Sequence, residues 1–318
     1  MNFPAELLKQ CWFMTGPTAV GKSAAALLLA ERLNAEILSL DSMAVYRGMD
    51  IGTAKPEKSE LAAVRHHLID LADPHQDFTI AEYLDAALAA AQDVTRRGRL
   101  PLFVGGTGLY LRAVLRGLFE GPPADRNLRC RLERQARQHG PQYLYDQLVG
   151  VDPPTAARLH VNDQRRVIRA LEVHAITGVP ISEQHHNVVR PGAEQPEAVF
   201  WLHAPRDWLR DRINRRVDRM MQRGLLDEAQ MLLNAESAPG RTARQALGYR
   251  ELFAHLENGQ PLDECVELIK VRTRQFAKRQ HTWFRNLEEC RCLSVSGDEL
   301  PDQLADRLCQ EFRRCDLN

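Results

Sequence analysis

No run in the 318-residue sequence approaches the roughly 20 apolar residues that a helix needs to cross a bilayer. The start of the chain also lacks a basic segment followed by a long apolar stretch, so no secretory signal is expected. Cysteine occurs at seven scattered positions. An odd number without a C-x2-C pair argues against both a disulfide framework and a structural zinc site, even though Cys290 and Cys292, and Cys309 and Cys315, lie close in sequence. An excess of one charge is lacking as well: 42 Lys+Arg cancel 42 Asp+Glu. A nucleic-acid or membrane partner therefore has to be read from local patches. Lysine is scarce, confined to Lys9, Lys22, Lys55, Lys58, Lys270 and Lys278. Arginine suits bidentate phosphate contacts, but genomic base composition explains such a skew more simply. These absences point to a soluble, reduced, cytoplasmic protein. At 44% hydrophobic residues the chain can bury a large core, as one domain with an insertion or two modest domains.

What is present is organised around Gly16-Pro17-Thr18-Ala19-Val20-Gly21-Lys22-Ser23, a full match to G-x-x-x-x-G-K-[ST]. A short apolar run at 11–14 precedes it and an Ala/Leu-rich helical run at 24–33 follows, the strand, loop, helix order that the motif requires. Glycine lets such a loop curl so that successive N–H groups point inward, and the new helix adds its own free N–H groups and positive dipole end. The product is a socket for a di- or triphosphate. Lys22 supplies a point charge to the outer phosphate and the Ser23 hydroxyl a ligand for magnesium. With glycine near 7% of residues, a chance match in a chain of this length arises about once in a hundred.

Further along, residues 35–40 read as a buried strand delivering Asp41-Ser42 at its carboxyl end, where open parallel sheets bind ligands. Asp41 there is a magnesium partner, a general base or a turn-capping residue. Residues 46–56 are loop-like, residues 68–71 a short third strand, and Thr79-Ile80-Ala81-Glu82 a capping box opening a helix that Gly98 ends. Residues 101–104 form another strand, ending in Gly105-Gly106-Thr107-Gly108, which serves either close approach to a ligand or a tight turn. From Gly121 the texture turns helical, with no convincing strand until residues 198–202, so 122–197 read as an inserted helical domain between core segments 1–121 and 198–318, with residues 187–196 as the return linker. Its arginine runs are solvated helix faces or a polyanion grip. Beyond it, Arg212 and Arg216 lie four apart and share a helix face, so both can aim at one phosphate or pair with intervening Asp residues. Residues 270–285 carry Lys270, Arg272, Arg274, Lys278, Arg279 and Arg285 with no acid and with aromatic residues interleaved, the pattern of a nucleic-acid backbone site. A last strand and an amphipathic helix close the chain.

Read together, these segments resemble the tRNA dimethylallyltransferase family, bacterial type. The resemblance covers nearly the whole chain. It rests on the phosphate motif, Asp41-Ser42, Ile51-Gly52-Thr53-Ala54-Lys55-Pro56, Gly105-Gly106-Thr107-Gly108-Leu109-Tyr110, and Asp163 with Arg166, Arg169, Ala170 and Glu172. It continues with Arg216 and Gly224-Leu225, Gly248-Tyr249-x-Glu251, and residues 273–285. Two departures stand out: Met43 occupies a position where many members have Gln, and the zinc finger of nuclear and mitochondrial relatives has no counterpart.

The resemblance implies an α/β, P-loop NTPase-like parallel sheet flanked by helices. It also implies transfer of a dimethylallyl group from dimethylallyl diphosphate to N6 of an adenine beside the anticodon of tRNA, with magnesium, by a monomer. On this reading Gly16 to Ser23 hold the diphosphate, Ser23 through the metal, Asp41 serves as general base, Arg216 neutralises the leaving group, and Thr107 assists. The tRNA set implied is Asp41, Ser42, Met43, Ala44, Thr107, Gln164, Arg165, Arg166, Val167, Ile168, Arg169, Arg274, Lys278, Arg279, Gln280, Trp283 and Arg285. The rivals are a small-molecule P-loop kinase, against which the basic helix is larger than a small substrate needs, and a nucleic-acid-binding NTPase without group transfer.

Overall fold

A computed structural model describes residues 2–118, 121–184 and 190–315. Its framework is a parallel sheet in the order β3-β2-β4-β1-β5-β6. In chain order the framework elements are β1 (Trp12–Thr15), α1 (Lys22–Leu33), β2 (Ala35–Leu40), β3 (His66–His67), α2 (Ile80–Arg96), β4 (Leu100–Gly105) and α3 (Gly108–Arg116). After the insertion come β5 (Val199–His203), α7 (Arg206–Gln222), α8 (Leu225–Leu233), α9 (Tyr249–Asn258), α10 (Leu262–Arg285), β6 (Arg291–Ser294) and α11 (Pro301–Cys315). β1 is fully buried and β2 nearly so, as uninterrupted apolar runs require when helices cover both faces of a parallel sheet. One core cluster packs Trp12, Leu29 and Leu308 around Phe312, whose ring stacks on Trp12 at 4.6 Å. A second, holding Tyr46, Leu252, Phe253 and Ile269, lies among α8, α9 and α10.

Helix α2 begins at the expected capping box, with Thr79 Oγ1 accepting from Glu82 N at 3.2 Å, and ends before Gly98 at φ +69°. The expected strand at 68–71 does not form. Leu68 and Asp70 take φ of +65° and +56°, outside the extended region, so the pairing shifts to the two residues of β3.

A separate compact unit covers Arg116–Val189, against the expected 122–197. It contains α4 (Arg126–His139), α5 (Pro141–Val151) and α6 (Gln164–Thr177), whose Leu132, Leu144, Leu148, Val167 and Val173 form its own core. Its polar anchor is Glu172, with no exposed surface, which accepts from Arg129 Nε at 2.8 Å, Arg169 Nη1 at 2.6 Å and Asp125 N at 2.8 Å. Burial pushes this carboxyl up, but the two guanidiniums and the amide outweigh it and leave it below the usual carboxylate range. Of the expected linker at 187–196, residues 187–189 lie outside the described residues. Arg190 returns the chain to the sheet unit by donating to Leu115 O and Phe3 O, both at 2.8 Å.

Candidate active site

The turns after β1, β2 and β4 meet at the carboxyl edge of the sheet. They line one cavity of about 860 Å³ together with residues of α7 and α10. The turn after β1 is the phosphate motif. Gly16 has φ +142°, and a Cβ there would sit 2.9 Å from Leu202 O, so glycine is needed for the close crossing of β5. Gly21 at φ +110° turns the chain into α1, and Ala19 at φ +66° is a rarely tolerated non-glycine residue at the loop's crest. Lys22 Nζ folds over the loop to donate to Gly16 O at 2.9 Å and Pro17 O at 2.8 Å. Burial, reinforced by the nearby charge of Arg216 and opposed by Asp41, pushes its pKa down to about 7.

Helix α7 brings two arginines to this loop. Arg212 Nε donates to Ala19 O at 2.8 Å while its guanidinium lies 4.6 Å from the centre of the Trp208 ring. Arg216 lines the same cavity; burial lowers its pKa, the charge of Asp41 opposes that shift, and Arg219 and Arg212 add to it. The expectation that the pair faces one anion thus meets a split: Arg216 faces the cavity beside Asp41, whereas Arg212 also braces the loop backbone.

Asp41 ends β2. Its Oδ1 accepts from Met43 N at 2.8 Å and Ala44 N at 3.3 Å, so it caps the turn that it begins. Across from it, Thr107 Oγ1 accepts from Ser42 N at 3.1 Å, tying the turns after β2 and β4 together. Asp41, Ser42, Met43, Ala44 and Thr107 all line the cavity.

Helix α10 corrects one expectation. The six basic residues of 270–285 are not uncompensated: Lys270 pairs with Asp218 and Glu267, each at 2.8 Å, and Arg272 pairs with the buried Glu251. The acids arrive from α7, α9 and the previous turn of α10, which a scan of the run alone does not reveal. Arg274 donates to Asn214 Oδ1 at 2.6 Å, while Lys278, Arg279 and Arg285 are exposed. Trp283 packs on Gly108 beneath Arg112, whose guanidinium is 5.3 Å from the ring centre. Gln280 is buried, its amide engaged by Thr18 N and Gly106 O. In the helical unit, Gln164, Arg165 and Arg166 are exposed at the start of α6, but Val167 and Ile168 pack inward and Arg169 is held by Glu172 and Pro122 O.

Sequence reasoning missed Glu228. Its buried carboxylate accepts from the backbone N–H groups of Asp50, Ile51 and Gly52 at 2.8 to 3.1 Å and from Tyr249 Oη at 2.6 Å. It fixes the 50–56 loop, whose Gly52 to Pro56 line the cavity. Gly52 meets the Tyr249 ring so closely that a Cβ would lie 2.5 Å from it. The only sequence signals were the glycine and the tyrosine themselves.

The IPP transferase family pattern matches residues 44–287. A tRNA dimethylallyltransferase from Rhodopirellula baltica is 45% identical over 307 residues, covering 94% of this chain and 92% of that protein. One from Geobacter metallireducens is 48% identical over 278 residues, covering 86% and 89%. The crystal structure of the full-length tRNA isopentenylpyrophosphate transferase from Bacillus halodurans is similar at a TM-score of 0.70 and 39% identity, covering 97% of this chain and 98% of that one. That of a eukaryotic dimethylallyltransferase acting on tRNA reaches 0.75 at 29% identity, over 90% and 74%. With its sheet, its phosphate loop and these matches along nearly its whole length, the chain belongs to the IPP transferase family.

Proposed function

We propose that this chain is a tRNA prenyltransferase that moves a dimethylallyl group from dimethylallyl diphosphate to N6 of an adenine beside the anticodon, releasing diphosphate. The observation that carries this reading is the convergence of Lys22, Arg216 and Asp41 on one cavity, within a chain of this family. A kinase uses such a socket to stabilise charge while a P–O bond breaks. Here the same socket holds a diphosphate leaving group while the allylic C–O bond breaks and a C–N bond forms to N6. Lys22 and Arg216 neutralise the charge that grows on the departing oxygen. Asp41, steadied through Oδ1 by the turn it caps, takes the N6 proton. The adenine leaves its stack to reach the cavity.

Magnesium fits the donor set. Ser23 and Asp41 offer hard oxygen atoms at the cavity wall, and among the described residues no cluster of three or more His, Cys, Asp or Glu could enclose a metal. That suits an ion which takes most of its ligands from substrate oxygens and water. Ser23 would hold it, and the ion would supply charge neutralisation at the diphosphate. Lys278, Arg279 and Arg285 present the backbone-tracking charge for RNA, and the chain acts as a cytoplasmic monomer. Nucleoside analysis of tRNA from a strain lacking this protein tests the reading: prenylated adenosine disappears, whereas an unchanged nucleoside profile refutes it.

A further inference from the structure

Gln280 sits on the basic helix α10, yet the residue is only 6% exposed and its side chain is directed inward. Its Oε1 accepts from Thr18 N at 2.9 Å and its Nε2 donates to Gly106 O at 2.8 Å. The orientation of the amide is dictated by its partners, since a backbone N–H only donates and a carbonyl only accepts. The Gly106-Thr107 segment is itself bound to the end of β2: Gly106 N and Thr107 N donate to Leu40 O at 3.1 and 2.9 Å, and Ser42 N donates to Thr107 Oγ1 at 3.1 Å. One buried amide therefore bridges the phosphate loop and the turns that carry Thr107 and Asp41. Screened from water, its two directional bonds act as spacers of fixed length.

We propose that Gln280 is a positioning residue for the transfer reaction, setting the separation between the diphosphate cradle and the turn that receives the adenine. The proposal rests on the prenyl-transfer reading. Displacement at carbon requires the nucleophile within about 3 to 3.5 Å of the reacting atom, and a misplacement near 1 Å can cost on the order of 10² in rate. Because Gln280 occupies the Thr18 N–H, that group is spent on holding the loop and not on grasping phosphate. Loss of the bridge should accordingly appear in the chemical step and spare substrate binding.

Two variants reach the bridge from opposite sides. Gln280→Met keeps the length of the side chain and deletes both bonds. Gly106→Ala keeps Gln280 but places a Cβ inside contact distance of Nε2, at a position whose φ is not in the left-handed region, so that the amide has to move. Single-turnover transfer at saturating substrates is expected to fall by about 10- to 100-fold in each, with affinities for inorganic diphosphate and for tRNA within about threefold of wild type. The double variant should be no slower than the worse single one, because both remove the same bridge. If Gln280→Met does not fold, the same split between rate and binding in Gly106→Ala decides the matter. Wild-type rates in the variants, or penalties that multiply in the double variant, overturn the proposal. A wild-type chain that prenylates no adenine overturns the reading beneath it and this inference with it.

Discussion

Tyr249 Oη donates to Glu228 Oε1 at 2.6 Å, and the same carboxylate closes over three successive backbone N–H groups of the 50–56 loop. The phenol is held above its usual pKa range by burial first and by the Glu228 charge second, so it remains a donor throughout the working range of pH. Glu228→Ala strands these donors, of which the Tyr249 hydroxyl is buried. It is expected to destabilise the fold by about 3 kcal/mol in urea unfolding, with Glu228→Gln intermediate because one acceptor oxygen survives. An alanine variant as stable as wild type would show that the loop holds itself.

Lys22 predicts a pH signature. Its folded-state pKa of about 7 lies below the ordinary lysine value of 10.5. Between these values the unfolded chain binds the extra proton, so the Lys22 contribution makes the ligand-free fold more stable as pH rises from about 7 toward 10.5. Diphosphate demands the charged form. Above pH 7 its binding should take up a proton, and affinity should fall by up to tenfold per pH unit beyond the change that diphosphate's own titration causes. Calorimetry of inorganic diphosphate binding between pH 6 and 9, compared with Lys22→Met, isolates this component. Identical pH dependence in the two proteins would contradict it.

For α10 the structure divides residues that the sequence grouped. Lys278→Ala, Arg279→Ala and Arg285→Ala combined should weaken tRNA binding and lower the salt slope by about 0.7 to 0.9 for each lost phosphate contact. Lys270→Ala should leave that slope unchanged and instead lower stability, since its ammonium pairs with Asp218 and Glu267. Fluorescence titration from low to high salt separates the two outcomes, and an unaltered slope in the triple variant would dismiss α10 as the RNA-tracking element.

The parts of the site legible in the sequence were those set by local rules. Gly16 to Ser23 form a motif whose glycines are required by φ and by the crossing of β5, and Asp41 and Thr107 follow apolar runs whose ends could be placed within a residue or two. What stayed hidden depends on partners distant in the chain. Glu251 under Arg272, Asp218 under Lys270, and Gln280 between Thr18 and Gly106 join segments up to 262 residues apart, and periodicity says nothing of them. The 68–71 strand failed for the opposite reason: a local apolar run was overridden by a turn with positive φ.

Asp41 separates two chemical roles. Asp41→Asn keeps the Oδ1 that caps the Met43 and Ala44 amides and removes the basicity. As general base its loss should lower kcat by about 10² to 10⁴ with substrate affinities changed less than about tenfold. A magnesium-ligand role predicts instead a weakened donor that excess metal partly restores, a difference that single-turnover rates across a magnesium titration resolve.

Prenyl transfer to an adenine of tRNA is tested by incubating the purified chain with magnesium, unmodified tRNA and dimethylallyl diphosphate, then digesting the RNA and weighing its nucleosides. The expected products are N6-dimethylallyladenosine and an equal amount of free diphosphate, with no ATP consumed. Unmodified adenosine, accompanied by ADP when ATP is supplied, would contradict it and identify the socket as that of a kinase.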